Sequence, residues 1–134
     1  MSDLPRSASQ LNERLRFLGL NADERARLGS LQPLIKEAIG PALDDFYARA
    51  KSHPETARFF ANDAHIAHAK QKQEAHWALI GSGKLDNHYV EAVSTIGRTH
   101  ARLGLEPRWY IGGYALVLEG IMEAVIGEEM RGFM

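Results

Sequence analysis

The sequence predicts an all-α fold, and three observations predict it. Apolar residues recur at three- and four-residue spacing along most of the chain. Helix start and stop signals divide that pattern at short intervals. No segment alternates apolar and polar residues as a half-buried strand would. At 134 residues, 45% hydrophobic and 25% charged, the chain fits one globular domain with a modest core.

The elements follow in order. Residues 1–7 are expected to be disordered. Leu11, Leu15 and Leu18 define a short first helix that ends at Gly19. Asn21, with Glu24 three residues on, has the form of a capping box. It opens a stretch carrying Leu28, Leu31, Leu34, Ile35 and Ile39, in which Pro33 is expected to introduce a kink. Gly40-Pro41 is the stronger break and is expected to start the next helix, with Leu43, Phe46, Tyr47 and Ala50. His53-Pro54 opens a short helical turn holding Phe59 and Phe60. Asp63 is the expected N-cap of a long helix from Ala64 to Ile80, ended by Gly81 and Gly83. Asp86 caps a further helix, which Gly104 ends in a left-handed turn. Pro107 opens the last helix, which is expected to run to the 120s or beyond. Internal repeats and low-complexity tracts are absent, so residues 8–134 read as one domain.

Composition excludes several functions. The formal charge of −1, from 16 basic and 17 acidic residues, favours neither nucleic acid nor an anionic membrane. Without cysteine there is no disulfide framework, thiolate zinc site or cysteine nucleophile. The longest uncharged run, Trp109 to Leu118, has ten residues and is too short to span a bilayer. The first seven residues carry charges and a proline where a signal peptide needs an apolar core. A soluble cytoplasmic chain is expected. Glycine-rich phosphate loops and the Gly-x-Ser-x-Gly elbow are missing. Asp44-Asp45 and Glu128-Glu129 are sequence neighbours and diverge on a helix, so neither makes an acid/base pair. Enzymatic chemistry is not expected.

The candidate site residues are polar exceptions on apolar faces. Tyr89, Val93, Ile96, His100 and Leu103 share one helical stripe. A histidine there needs a partner, because a buried unpaired nitrogen costs roughly 1–3 kcal/mol. That partner is a backbone carbonyl or a metal, and haem iron is the metal best suited to an apolar helix face. Tyr47 shares a face with Leu43, Phe46 and Ala50. It is either a satisfied core tyrosine or a donor to a diatomic ligand on the iron's open side. Ile66, Ala69, Gln73, Trp77 and Ile80 form another stripe, whose polar exception, Gln73, is a second candidate for that ligand. His65, His68, Lys72 and His76 suit a solvated face or haem propionates better than a dedicated metal site. His53 and His88 read as caps or surface residues. The segment Trp109–Leu118 is apolar all round and is expected to be buried on two sides, one of them against a partner subunit. Gly112, Gly113 and Gly120 would let another backbone approach closely.

The stretch Leu103-Gly-Leu-Glu-Pro-Arg-Trp-Tyr-Ile-Gly-Gly-Tyr114, preceded by Ile96 and His100, resembles the signature of the globin-coupled sensors. Gln73-Glu-Ala-His76-Trp77, Gly83, Tyr89–Val93 and Phe46-Tyr47 fit the same pattern, and the resemblance runs from Leu11 to Val125. It implies a globin-like helical sandwich that binds haem b, with an extra N-terminal helix and no fourth short helix. It implies His100 as the proximal iron ligand and Tyr47 as a distal donor to bound oxygen. Tyr110 is implied to contact the backbone near His100. Gln73 is the best fit to a second distal residue, with Ala69 and Lys72 beside it. Phe46, Phe60, Ile96, Leu103, Ala69 and Tyr114 complete the expected cofactor contacts. The resemblance further implies a non-catalytic sensor of O2, with CO and NO as further ligands, and a homodimer formed through the last helix. It implies an output domain in a longer parent. A chemotaxis transducer is favoured there, with a diguanylate cyclase or histidine kinase as the alternative. The family pattern has a further long helix after Val125, and the sequence stops at Met134, so a missing or truncated final helix is expected. The competing reading is a non-haem helical dimerisation module whose His100 bonds to backbone.

Overall fold

Seven helices follow one another among the described residues, 4–132, of the computed structural model, with no strand between them. They are α1 (Leu4–Phe17), α2 (Ala22–Ser30), α3 (Gln32–Ser52), α4 (Pro54–Ala57), α5 (Asp63–Gly81), α6 (Asn87–Leu103) and α7 (Pro107–Gly132). The order is globin-like, with an extra N-terminal helix and only a turn between α4 and α5. Residues 1–3 of the expected irregular N-terminus lie outside the described residues, but residues 4–7 are helical.

Local signals set several ends as expected. The Asn21 side chain accepts from the Glu24 N–H at 2.9 Å, and Asp86 accepts from the Tyr89 N–H at 3.2 Å. Gly104 ends α6 with φ +75°. At α5 the expected cap is corrected by one residue. Asn62 is the extended residue, and its side chain accepts from the His65 N–H at 2.9 Å. Asp63 is already helical, where its carboxylate favours the positive end of the helix and pairs with Lys51 at 2.8 Å. Helix α4 stops at Ala57, so Phe59 and Phe60 lie in the turn beyond it.

The two prolines of the third element exchange their expected roles. Pro33 stands in the first turn of α3, where its missing N–H would have no partner anyway, and the chain breaks before it at Leu31. Pro41 lies inside α3, which runs unbroken through Gly40-Pro41. An interior proline costs a helix about 3 kcal/mol. The buried stripe Ile35, Ala38, Ile39, Ala42, Leu43, Tyr47 and Ala50 runs through this point and offsets that cost, at roughly 1.5–3 kcal/mol for each large side chain.

The core forms where α3 meets α5 and α7. Leu43 is fully enclosed, with Trp77 of α5 and Val117 and Ile121 of α7 around the α3 stripe. Helix α7 crosses α3 at glycine distance. A Cβ on Gly113 would lie 2.8 Å from the Phe46 ring, and one on Gly120 would lie 3.0 Å from Ala42 Cβ. The close approach expected of these glycines is therefore to α3 of the same chain rather than to a partner. Gly112 has nothing within 4 Å of a Cβ. Within the single chain Ile111 of α7 is 62% exposed, and Leu118 and Met122 are exposed with it. By length and composition alone α7 could cross a bilayer, which the ten-residue uncharged run concealed because Glu119 interrupts it. Here α7 instead supplies Gly113, Val117 and Ile121 to the core.

Gly113→Ala should destabilise the fold by about 1–3 kcal/mol through overpacking against Phe46. Gly112→Ala, one residue away, should be neutral or stabilising by up to about 1 kcal/mol from helix propensity. Urea unfolding of the two variants separates close packing from propensity.

Candidate functional site

Helix α6 has an apolar face that the protein does not bury. Tyr89, Ile96 and His100 are half-buried, Val93 and Leu103 are exposed, and no residue of the helix is fully buried. It packs against α1 and, more thinly, α5. The left-handed turn at Gly104 lets the Leu105 N–H donate to the His100 carbonyl at 3.0 Å. That satisfies the backbone of His100. Its ring is held below the usual imidazole range by burial alone, with no backbone carbonyl or charge contributing. The ring is therefore neutral, the form that ligates a metal. Pro107 starts α7 and returns the chain over α6, so the Tyr110 ring stacks on the His100 ring, centroids 5.1 Å apart and planes within 20°. Tyr110 thus meets His100 by ring stacking.

Tyr47 is 7% exposed and sits edge-on to Phe46 and Phe60, at 4.8 and 5.6 Å. Burial alone pushes its hydroxyl up to about 12, so it stays protonated and able to donate. Phe46, Phe60, Ala69 and Tyr114 pack against the same core cluster. Gln73 is half-buried on α5 and Lys72 is exposed. The structure therefore brings the candidates together in two groups. Tyr47, Phe46, Phe60, Ala69 and Tyr114 belong to the α3–α5–α7 frame, and His100 stands with Tyr110 at the α6–α7 junction. Leu103, on the same stripe as His100, is 52% exposed.

The other histidines take varied places. His65 Nδ1 accepts from the Ala61 N–H at 3.2 Å and closes the turn before α5. His53 makes no side-chain cap bond and lies against Trp109, ring centroids 5.6 Å apart. His68 and His88 are exposed. His76 overturns the expectation of a solvated stripe: it is 6% exposed, and its Nε2 shares a 2.8 Å hydrogen bond with the Tyr114 hydroxyl. The signal in the sequence was Tyr114 itself, a hydroxyl in an apolar helix that needs a partner.

A bundle of this order, with a neutral histidine on an uncovered apolar helix and a buried tyrosine donor, has the make-up of a globin. The chain belongs to the protoglobin family, whose family model matches residues 7–132, in agreement with its resemblance to the globin-coupled sensors. It is 32% identical over 113 residues, 84% of its length, to the heme-based aerotactic transducer HemAT of Halobacterium salinarum. The chain spans 23% of that relative's length.

Burial lowers both His76 and His100 in the folded chain, whereas an exposed imidazole titrates near 6.5. The unfolded chain therefore binds more protons below that value. The stability these rings contribute is complete above about pH 6.5 and is lost as pH falls through their lower native values. Urea midpoints should drop between about pH 7 and pH 5, and His76→Gln should flatten the drop. A parent protein with a level profile would show that the rings are not held neutral.

Proposed function

We propose that this domain binds haem b and senses O2 on behalf of a larger signal-transducing protein. His100 carries this reading, as a neutral imidazole on an apolar helix face that the protein leaves uncovered, in a chain of the protoglobin family. The donor set fits the group: one imidazole for the iron, apolar surface for the porphyrin and a protonated phenol for a polar gas ligand. Haem held by His100 would supply an iron able to bind a diatomic gas.

The chain's own residues do the rest. His100 presents its imidazole to the iron, and the stacked Tyr110 ring restricts how that imidazole turns. The Tyr47 hydroxyl donates a hydrogen bond to the gas. A hydrogen bond from Tyr47 would favour the more polar O2 over carbon monoxide by on the order of 1–3 kcal/mol. Phe46, Phe60, Ala69, Ile96 and Tyr114 exclude water, and Gln73 stands on α5 as a second polar group. Leu103 lies at the outer edge of the same face.

His100 is linked to α7 by the short Gly104–Glu106 turn. Exposed Ile111, Leu118, Met122 and Ile126 on α7 support a homodimer through that helix. A displacement of α6 then has a short path to a second subunit. The relative's name supports a chemotaxis transducer as the parent, with residues 8–134 as its cytoplasmic sensor domain and the output elsewhere in the longer chain. The domain itself is not catalytic.

Purified protein loaded with haem should show a Soret band, and its absence would end this reading. His100→Ala should abolish or greatly weaken haem retention. Tyr47→Phe should raise the O2 dissociation rate about tenfold and change CO release far less. Unchanged O2 kinetics would remove Tyr47 from the distal role.

A further inference from the structure

His76 of α5 and Tyr114 of α7 meet through their side chains, and nothing in the gas-binding reading uses the bond between them. His76 is 6% exposed and its neighbour Trp77 is 7% exposed. Among the described residues, His76 Nδ1 and Trp77 Nε1 are buried without a hydrogen-bond partner. The rings of His76, Trp77 and Tyr114 form one cluster, with centroids 5.7 to 6.5 Å apart. Burial lowers His76 and raises Tyr114, so the bond joins two neutral groups. One neutral hydrogen bond, with an imidazole nitrogen left unsatisfied beside it, stabilises little compared with an apolar pair of the same shape. What it adds is direction: an apolar contact tolerates sliding, whereas a 2.8 Å bond between one nitrogen and one oxygen does not.

The register fixed by this bond is the one on which Tyr47 depends. Tyr114 follows Gly113, whose backbone lies so close to the Phe46 ring that a Cβ there would stand 2.8 Å from it. Phe46 in turn lies edge-on to Tyr47 at 4.8 Å. A shift of α7 along α5 would push the Gly113 backbone against Phe46 and displace the Tyr47 ring. We infer that His76 is a positioning residue: by bonding Tyr114 it sets the register of α7 at Gly113 and, through Phe46, the placement of the Tyr47 hydroxyl. The consequence for gas binding rests on the distal role proposed for Tyr47, whereas the positional consequence does not.

Fluorine NMR of 3-fluorotyrosine-labelled, haem-loaded protein reads the position directly. The chain has four tyrosines, and each resonance is assigned by its Tyr→Phe variant. Tyr114→Phe, which keeps the ring and removes the hydroxyl, should move the Tyr47 resonance by more than its linewidth. His76→Leu should do the same, and His76→Gln, whose amide can still reach Tyr114, should restore the parent position. In stopped flow, Tyr114→Phe should raise the O2 dissociation rate at least about threefold. It should add nothing in a Tyr47→Phe background, and CO release should be unchanged. A Tyr47 resonance that stays in place in Tyr114→Phe overturns the inference, even if the melting temperature falls, since the pair would then be mere filling. A resonance that moves while O2 release stays constant upholds the positioning and removes Tyr47 from gas binding instead.

Discussion

The crossing of α3 and α7 at Gly113 and Gly120 brings two helices so close that a methyl group at either glycine would meet Phe46 or Ala42 at 3.0 Å or less. Helices at this distance interlock side chain against backbone, and neither can move without the other. The contact encloses Leu43, places Val117 and Ile121 over the α3 stripe and orients the Phe46–Tyr47 edge. It also explains why α3 carries Pro41 in its interior. The helix is straddled on both sides of that proline by buried residues, and breaking it would expose them. Helix α5 completes the frame with Trp77 and the bond from His76 to Tyr114.

Against this frame α6 is held differently. It carries one clear apolar face, yet the frame does not cover it. Its ends are well defined, by Asp86 at one and the Gly104 turn at the other, so the helix is specified locally even though it is weakly packed. Stiffness and responsiveness are thereby divided between parts of one small domain. Tyr47 sits in the α3–α5–α7 frame, and the imidazole sits on a helix with no fully buried residue.

Legibility in the sequence follows the range of the interactions involved. Asn21, Asp86, Gly104 and Pro107 act within three or four residues, and their roles were readable without a partner. At Asn62 and Asp63 two good caps stand side by side, and only the extended backbone at Asn62 decides between them. Pro41 was misleading because a local rule met a buried stripe that spans it. The glycines of α7 announced a close approach but not its object, which lies some 70 residues earlier in the chain. His100 and Tyr47 stand out in the sequence as exceptions on apolar faces, and the motif around Tyr110 makes them candidates for one site. His76 was not, because its stripe looks solvated until α7 is laid beside it. The stacking of Tyr110 on His100 likewise depends on how the Gly104–Glu106 turn aims α7.

The loose hold on α6 also bears on how long the polypeptide survives. Proteases cut what opens most often, and segments with few buried contacts open first. The connections at Gly83–Asp86 and Gly104–Glu106 flank α6, a long helix with no fully buried residue. A cofactor clamped to His100 would tie that helix down and close both cleavage points together. Resistance to proteolysis would then rise with occupancy of His100, through the same weak packing of α6.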